Sequence, residues 1–111
     1  MLEAERLARS YVGKMTSSAF LEDRMVQQAV ILNLIVIGEA AVQIETEYPD
    51  FAAANQVVPW KRLRGMRNRM AHGYFDINMA IVWDTVQTYL PTLDEFLLNC
   101  SELSSNKLQP E

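Results

Sequence analysis

The sequence predicts an all-α fold, an up-and-down four-helix bundle, on three observations. Apolar residues recur at three- and four-residue spacing along most of the chain, the period of one helix face. Proline and glycine number only four each in 111 residues, which leaves long uninterrupted segments. No repeat, low-complexity block or interdomain linker divides the chain. Helices joined by short connections pack as antiparallel neighbours, so the bundle follows, although such a fold names no function by itself.

Each element has its own signal. Leu2, Leu7, Ala8, Tyr11, Val12 and Met15 trace the inner face of a first helix that is expected to end near Thr16 to Ser18. Ser17 or Ser18 is the expected cap of a second helix running from about Ala19 to Glu47, with Glu22 and Asp23 near its start, where the helix dipole favours acids. Pro49 disfavours an α conformation at Tyr48 and sets the end. The middle of this helix, Ala29 to Ile37, is apolar nearly all round, so it is expected to serve both the monomer core and a subunit interface. Asp50 to Val58 reads as an Ala-rich loop with some helical content. Pro59 fits the first position of a third helix running through Arg67 to His72, and Gly73 is the expected left-handed residue that ends it. Asp76 or Asn78 caps a last helix that turns Ile81, Val82, Trp83, Val86, Tyr89, Leu90, Leu93, Phe96 and Leu97 inward, with a kink or interruption at Pro91.

The chain is sized for one domain, assigned to residues 1–100, followed by a polar tail over 101–111. Half its residues are hydrophobic, which excludes a disordered chain. The longest apolar stretch, Ala29 to Ile44, is interrupted by Asn33, Gly38, Glu39 and Gln43, short of the roughly 18 continuous apolar residues of a membrane span. No membrane association is therefore expected. With no secretion signal at the start and a single unpaired Cys100, a cytoplasmic location is expected.

A formal net charge of −4 argues against coating nucleic acid by bulk electrostatics, yet five of the ten basic residues fall in one short run, Lys61, Arg62, Arg64, Arg67 and Arg69. No acid lies between Phe51 and Phe75. A basic face on an acidic protein engages a phosphate backbone at one place without general stickiness, which makes Lys61, Arg62, Arg64 and Arg69 RNA-binding candidates; a solvated helix face is the alternative.

The third helix carries the chemistry. Asn68 and His72 are four apart and share a helix face, and the neighbouring Arg67 reaches the same region along its long side chain. Attack of a ribose 2′-hydroxyl on the adjacent phosphorus requires removal of one proton, delivery of another to the leaving oxygen, and stabilisation of charge on the phosphoryl oxygens. Histidine titrates near neutral pH and serves either proton transfer; arginine offers a forked donor set to phosphate; the Asn68 amide orients the site. Because His72 is the chain's one histidine, a two-histidine mechanism needs a symmetric dimer that brings two copies to one cleft. One His and one Cys at distant positions give no metal-ligand spacing, and no cofactor motif is present.

Arg67-x4-His72-x-Tyr74 matches the R-x4-H-x-Y signature of HepT-like toxins, a branch of the HEPN ribonuclease superfamily. Ile37-Gly-Glu-Ala40, Pro59-Trp60, Gly65-Met-Arg-Asn68, His72-Gly-Tyr-Phe75, Ile81-Val-Trp83 and Leu90-Pro91 resemble the family in the same order, over about Leu2 to Phe96. The resemblance implies a four-helix HEPN fold, a homodimer with a composite cleft, and metal-independent endoribonuclease activity on cellular RNA, with Arg67 and His72 catalytic and Asn68 in support. It further implies the toxin of a toxin–antitoxin pair, neutralised when a nucleotidyltransferase antitoxin of the MntA type transfers AMP to Tyr74. A bulky anion two residues from His72 would repel and obstruct the RNA phosphate. Glu39 is similar to the acid of the family's corresponding helix; its cost in an apolar segment calls for a partner such as an arginine, with a structural ion pair and a catalytic role both open. The competing reading is a non-catalytic helical dimer that serves as binding partner and substrate of a nucleotidyltransferase.

Overall fold

The computed structural model describes the backbone of residues 1–73 and 77–108, with the side chains of those residues other than 72 and 101–108. Among the described residues the chain is helical with no strand: α1 (Leu2–Val12), α2 (Ser17–Glu22), α3 (Arg24–Glu47), α4 (Pro49–Ala54), α5 (Trp60–His72), α6 (Met79–Asp84) and α7 (Leu90–Leu108), with a π-helical segment, Thr85–Tyr89, between the last two.

Several boundaries differ from the sequence expectation, each for a local reason. α1 stops at Val12 because Gly13 takes φ 53°, in the left-handed region that glycine enters at little cost. Thr16, not Ser17 or Ser18, caps α2, its Oγ1 accepting from the Ala19 N–H at 3.1 Å. The expected single helix from Ala19 to Glu47 is broken at Asp23, whose carboxylate caps α3 by accepting from the Val26 N–H at 3.0 Å. A capping acid thus outweighs helix continuation. α3 does end before Pro49, which instead opens the short α4. Pro59 lies one residue ahead of α5 rather than in its first turn. Gly73 ends α5 at φ −146°, not in the left-handed region, while its N–H still reaches the Arg69 carbonyl at 2.8 Å. Asn78 caps α6 through the Ala80 and Ile81 N–H groups; Asp76 lies outside the described residues.

Pro91 neither breaks nor ends the last helix. A proline ring collides with the carbonyl four residues earlier in a regular α-helix. Here the Leu90 N–H bonds five residues back, to the Thr85 carbonyl, and this wider turn lies immediately ahead of the ring. The helical backbone then continues through Leu108.

α3 is the central element, with its most extensive contacts to α5 and α1. Its inner side contributes Val30, Ile31, Leu34, Ile37 and Ala41, all buried. Leu63, Met66 and Met70 of α5 and Ala4, Ala8 and Val12 of α1 join this core, as do Val82, Val86, Leu90 and Leu93. The buried Thr85 hydroxyl is satisfied by donating to the Ile81 carbonyl at 2.8 Å. By length and composition α3 is apolar enough to cross a bilayer, beyond the expectation from continuous apolar residues; its packed inner side gives it the role of a core helix. Its opposite side is exposed and apolar at Met25, Leu32 and Val36.

The inner face of α1 is rotated from the one expected. Leu7 and Tyr11 are exposed, whereas Glu5 is fully buried. Two arginines and an acid of α7 surround it: Arg9 Nε lies 3.1 Å from its carboxylate and Arg6 Nε 3.8 Å, and Arg6 and Arg9 both reach Asp94, at 2.8 and 3.3 Å. Burial first, and then the adjacent Asp94 carboxyl, push Glu5 up to about 7. Hydrogen bonding from Glu5 and from Arg6 holds Asp94 down at about 2. The raised group binds its proton more tightly in the folded state, so its contribution is complete below the unfolded value near 4.5 and is lost as pH rises through about 7. Asp94 acts oppositely, and its contribution is lost as pH falls from 3.8 towards 2. Thermal unfolding at pH 5 and pH 8 tests this. The native protein is expected to lose about 2.5 kcal/mol across that interval through Glu5, and Glu5→Gln to lose little. An equal loss in both proteins would contradict the assignment.

Candidate active site on the fifth helix

The start of α5 is fixed by Trp60, which is buried and donates its indole Nε1–H to the Asn55 carbonyl at 3.1 Å. Leu63, Met66 and Met70 seat the helix on the core. Against that buried row, the 100° step of a helix turns Arg67 towards α3 and leaves Asn68 on the exposed side. His72 closes the helix one turn beyond Asn68, in register with it. Its side chain, and all of Tyr74, lie outside the described residues.

Gly38 controls how α3 meets this helix. A Cβ built on Gly38 would sit 2.5 Å from the Arg67 Cβ and 2.9 Å from the Leu63 carbonyl oxygen, closer than real atoms approach. Only glycine permits this crossing. The next residue, Glu39, is thereby brought beside the arginine, with its Oε1 3.3 Å from Arg67 Nε. The acid expected to need an arginine partner thus meets the motif arginine itself. Glu39 is 61% exposed and Arg67 24%, so the pair adds at most about 1 kcal/mol to stability. Its physical consequence is proximity: the Glu39 carboxylate faces one edge of the guanidinium as an ion pair, while Arg67 Nε makes no hydrogen bond to the described residues.

The other cations of α5 divide into two kinds. Arg64 binds Glu45 of α3 at 2.8 Å, and Arg62 binds Asp84 of α6 at 3.1 Å while lying 4.0 Å over the Tyr89 ring. Both tie α5 to its neighbours. Lys61 and Arg69 have no acidic partner among the described residues. They line an open cleft of about 680 Å³ between α5 and the α6–π segment. Of the RNA-binding candidates, Lys61, Arg62 and Arg69 therefore share one concavity, whereas Arg64 lines a smaller one on the Glu45 side.

The helix thus carries a guanidinium, an amide and an imidazole within six residues, with Arg67 lying beside Glu39 of α3. Sequence reasoning named Arg67, Asn68, His72 and Glu39 but gave no role to Gly38 or Gly65. Gly38 was legible only as part of a motif, because a close helix crossing has no signature in one chain segment. The buried Glu5 was missed because its neighbours outline an apolar face without it.

Comparison with known proteins identifies the family. The family model described as Ribonuclease HepT-like matches residues 1–99. The protein named "Putative RNase MJ0127" of Methanocaldococcus jannaschii is 40% identical over 81 residues, 73% of this chain and 64% of the relative. "Putative RNase TTE0752" of Caldanaerobacter subterraneus subsp. tengcongensis is 34% identical over 76 residues, 68% of this chain and 65% of its own length. "Probable ribonuclease HepT" of Thermococcus cleftensis is 33% identical over 91 residues, 82% of this chain and 80% of the relative. The chain thus spans just under two thirds of the first two relatives. No solved structure matches it. With nearly its whole length matched and the ordered motifs in place on α3 and α5, the chain belongs to the HepT-like family of HEPN-type ribonucleases.

Proposed function

We propose that this protein is a metal-independent endoribonuclease of the cytoplasm, the toxin of a toxin–antitoxin pair, acting on cellular RNA as a homodimer. The observation that carries the reading is the Gly38 crossing, which holds Arg67 beside Glu39 on the helix that bears Asn68 and His72. In the proposed reaction His72 accepts the proton of an attacking 2′-hydroxyl, and Arg67 neutralises the charge that grows on the phosphoryl oxygens. The leaving 5′-oxygen takes its proton from the His72 of a second copy.

Two features support a two-copy cleft. One histidine per chain cannot serve both proton transfers at once. The exposed apolar stripe of Met25, Leu32 and Val36 also continues along α3 to Glu39, so a second chain covering it would lie next to Arg67.

Neutralisation is assigned to a nucleotidyltransferase antitoxin of the MntA type that transfers AMP to Tyr74. The experiment is expression with and without that partner. The chain alone is expected to arrest growth, and co-expression to relieve the arrest and add the mass of AMP at Tyr74. Tyr74→Phe should lose both the added mass and the relief. AMP mapped to another residue would refute the switch, and growth unaffected by the chain alone would refute the toxin.

A further inference from the structure

Gly65 lies in the interior of α5, where glycine is a poorer helix former than alanine. Neither usual reason for tolerating it applies. Its φ is not positive, and a Cβ there would meet no described atom within 4 Å. Gly38 is the contrast, since packing forbids any side chain at that position. What Gly65 preserves is open space, at the floor of the 680 Å³ cleft.

The cleft has the chemistry of a nucleotide. Lys61 and Arg69 stand one turn before and one turn after Gly65, on the same face, so two cations flank an open floor. Beside them, Arg62 is held over Tyr89 at 4.0 Å and fixed by Asp84 at 3.1 Å, a planar cation already immobilised. Guanidinium planes stack on unpaired bases, and Lys and Arg neutralise the phosphates on either side. Pro59 and Ile81 supply apolar wall. The volume lies in the range of small-molecule sites, about 300–1,000 Å³.

We infer that this cleft is the subsite for an unpaired RNA nucleotide near the scissile one, with its phosphates on Lys61 and Arg69 and its base over Gly65 against Arg62. The inference rests on the ribonuclease reading and adds to it a second binding position, Gly65 being about 10 Å along the helix axis from His72.

The test uses the native protein and a short single-stranded RNA with methylated 2′-hydroxyls, which cannot attack its own phosphates. Gly65→Met obstructs the floor of the cleft where the base would lie, and is expected to weaken binding at least about tenfold with an unchanged or higher melting temperature. Lys61→Ala and Arg69→Ala should each reduce the slope of log Kd against log salt by about 0.7. Should Gly65→Met fail to fold, the salt slopes of the two alanine variants decide. Native affinity in folded Gly65→Met, or unchanged slopes, would overturn the subsite while leaving the ribonuclease reading intact. Absence of cleavage of unmodified RNA by the native protein would instead overturn the reading on which it rests.

Discussion

His72→Ala is expected to lower RNA cleavage by about 10²–10⁴-fold, the usual contribution of a positioned general acid or base. His72 is the last residue of α5, and helix ends tolerate a change to alanine, so the fold should persist with an unchanged far-ultraviolet spectrum and melting temperature. Arg67→Ala should cost a comparable factor through a different term, the unneutralised phosphoryl charge. Arg67→Lys separates charge from geometry. A lysine keeps the positive charge but presents no fork to phosphate and cannot hold the same edge contact with Glu39. Steady-state cleavage assays on the three variants check this, and full activity in Arg67→Lys would show that charge alone suffices.

Gly38→Ala is the second large effect, and it acts without removing any chemical group. The added methyl would begin 2.5 Å from the Arg67 Cβ and 2.9 Å from the Leu63 carbonyl. Neither is the free end of a flexible side chain, so α5 must shift as a unit. Overpacking of this kind costs about 1–3 kcal/mol. If Arg67 acts as proposed, a displacement approaching 1 Å costs about 100-fold in rate. The expected outcome is a folded protein with a lowered melting temperature and cleavage reduced about 100-fold. Helix propensity argues the other way, since alanine is the better helix former by up to about 1 kcal/mol. A variant that is more stable and fully active would show that the two helices do not cross as closely as described.

Legibility in the sequence followed the physics of each element. The extent of α3 before Pro49 and the Asn78 cap were readable because proline and Asx residues act locally. The break at Asp23 was not, since Asp near a helix start is equally consistent with a cap and with a first-turn acid. The position of the π segment before Pro91 depends on how one proline is absorbed, for which periodicity has no signal. At the site, Arg67, Asn68 and His72 could be grouped because they lie on one helix. The pairing of Glu39 with Arg67, and the open floor at Gly65 between Lys61 and Arg69, depend on how α5 sits against other elements, which a single sequence leaves undetermined.

Cleavage by an internal 2′-hydroxyl leaves a different chemical record from hydrolysis by water, so the ends of the products report the mechanism. RNA digested by the purified native protein in the presence of a chelator, and examined by mass spectrometry, should carry 2′,3′-cyclic phosphate and 5′-hydroxyl termini. Products with 3′-hydroxyl and 5′-phosphate ends, or cleavage that ceases when the chelator is added, would contradict the assignment of the reaction to Arg67 and His72.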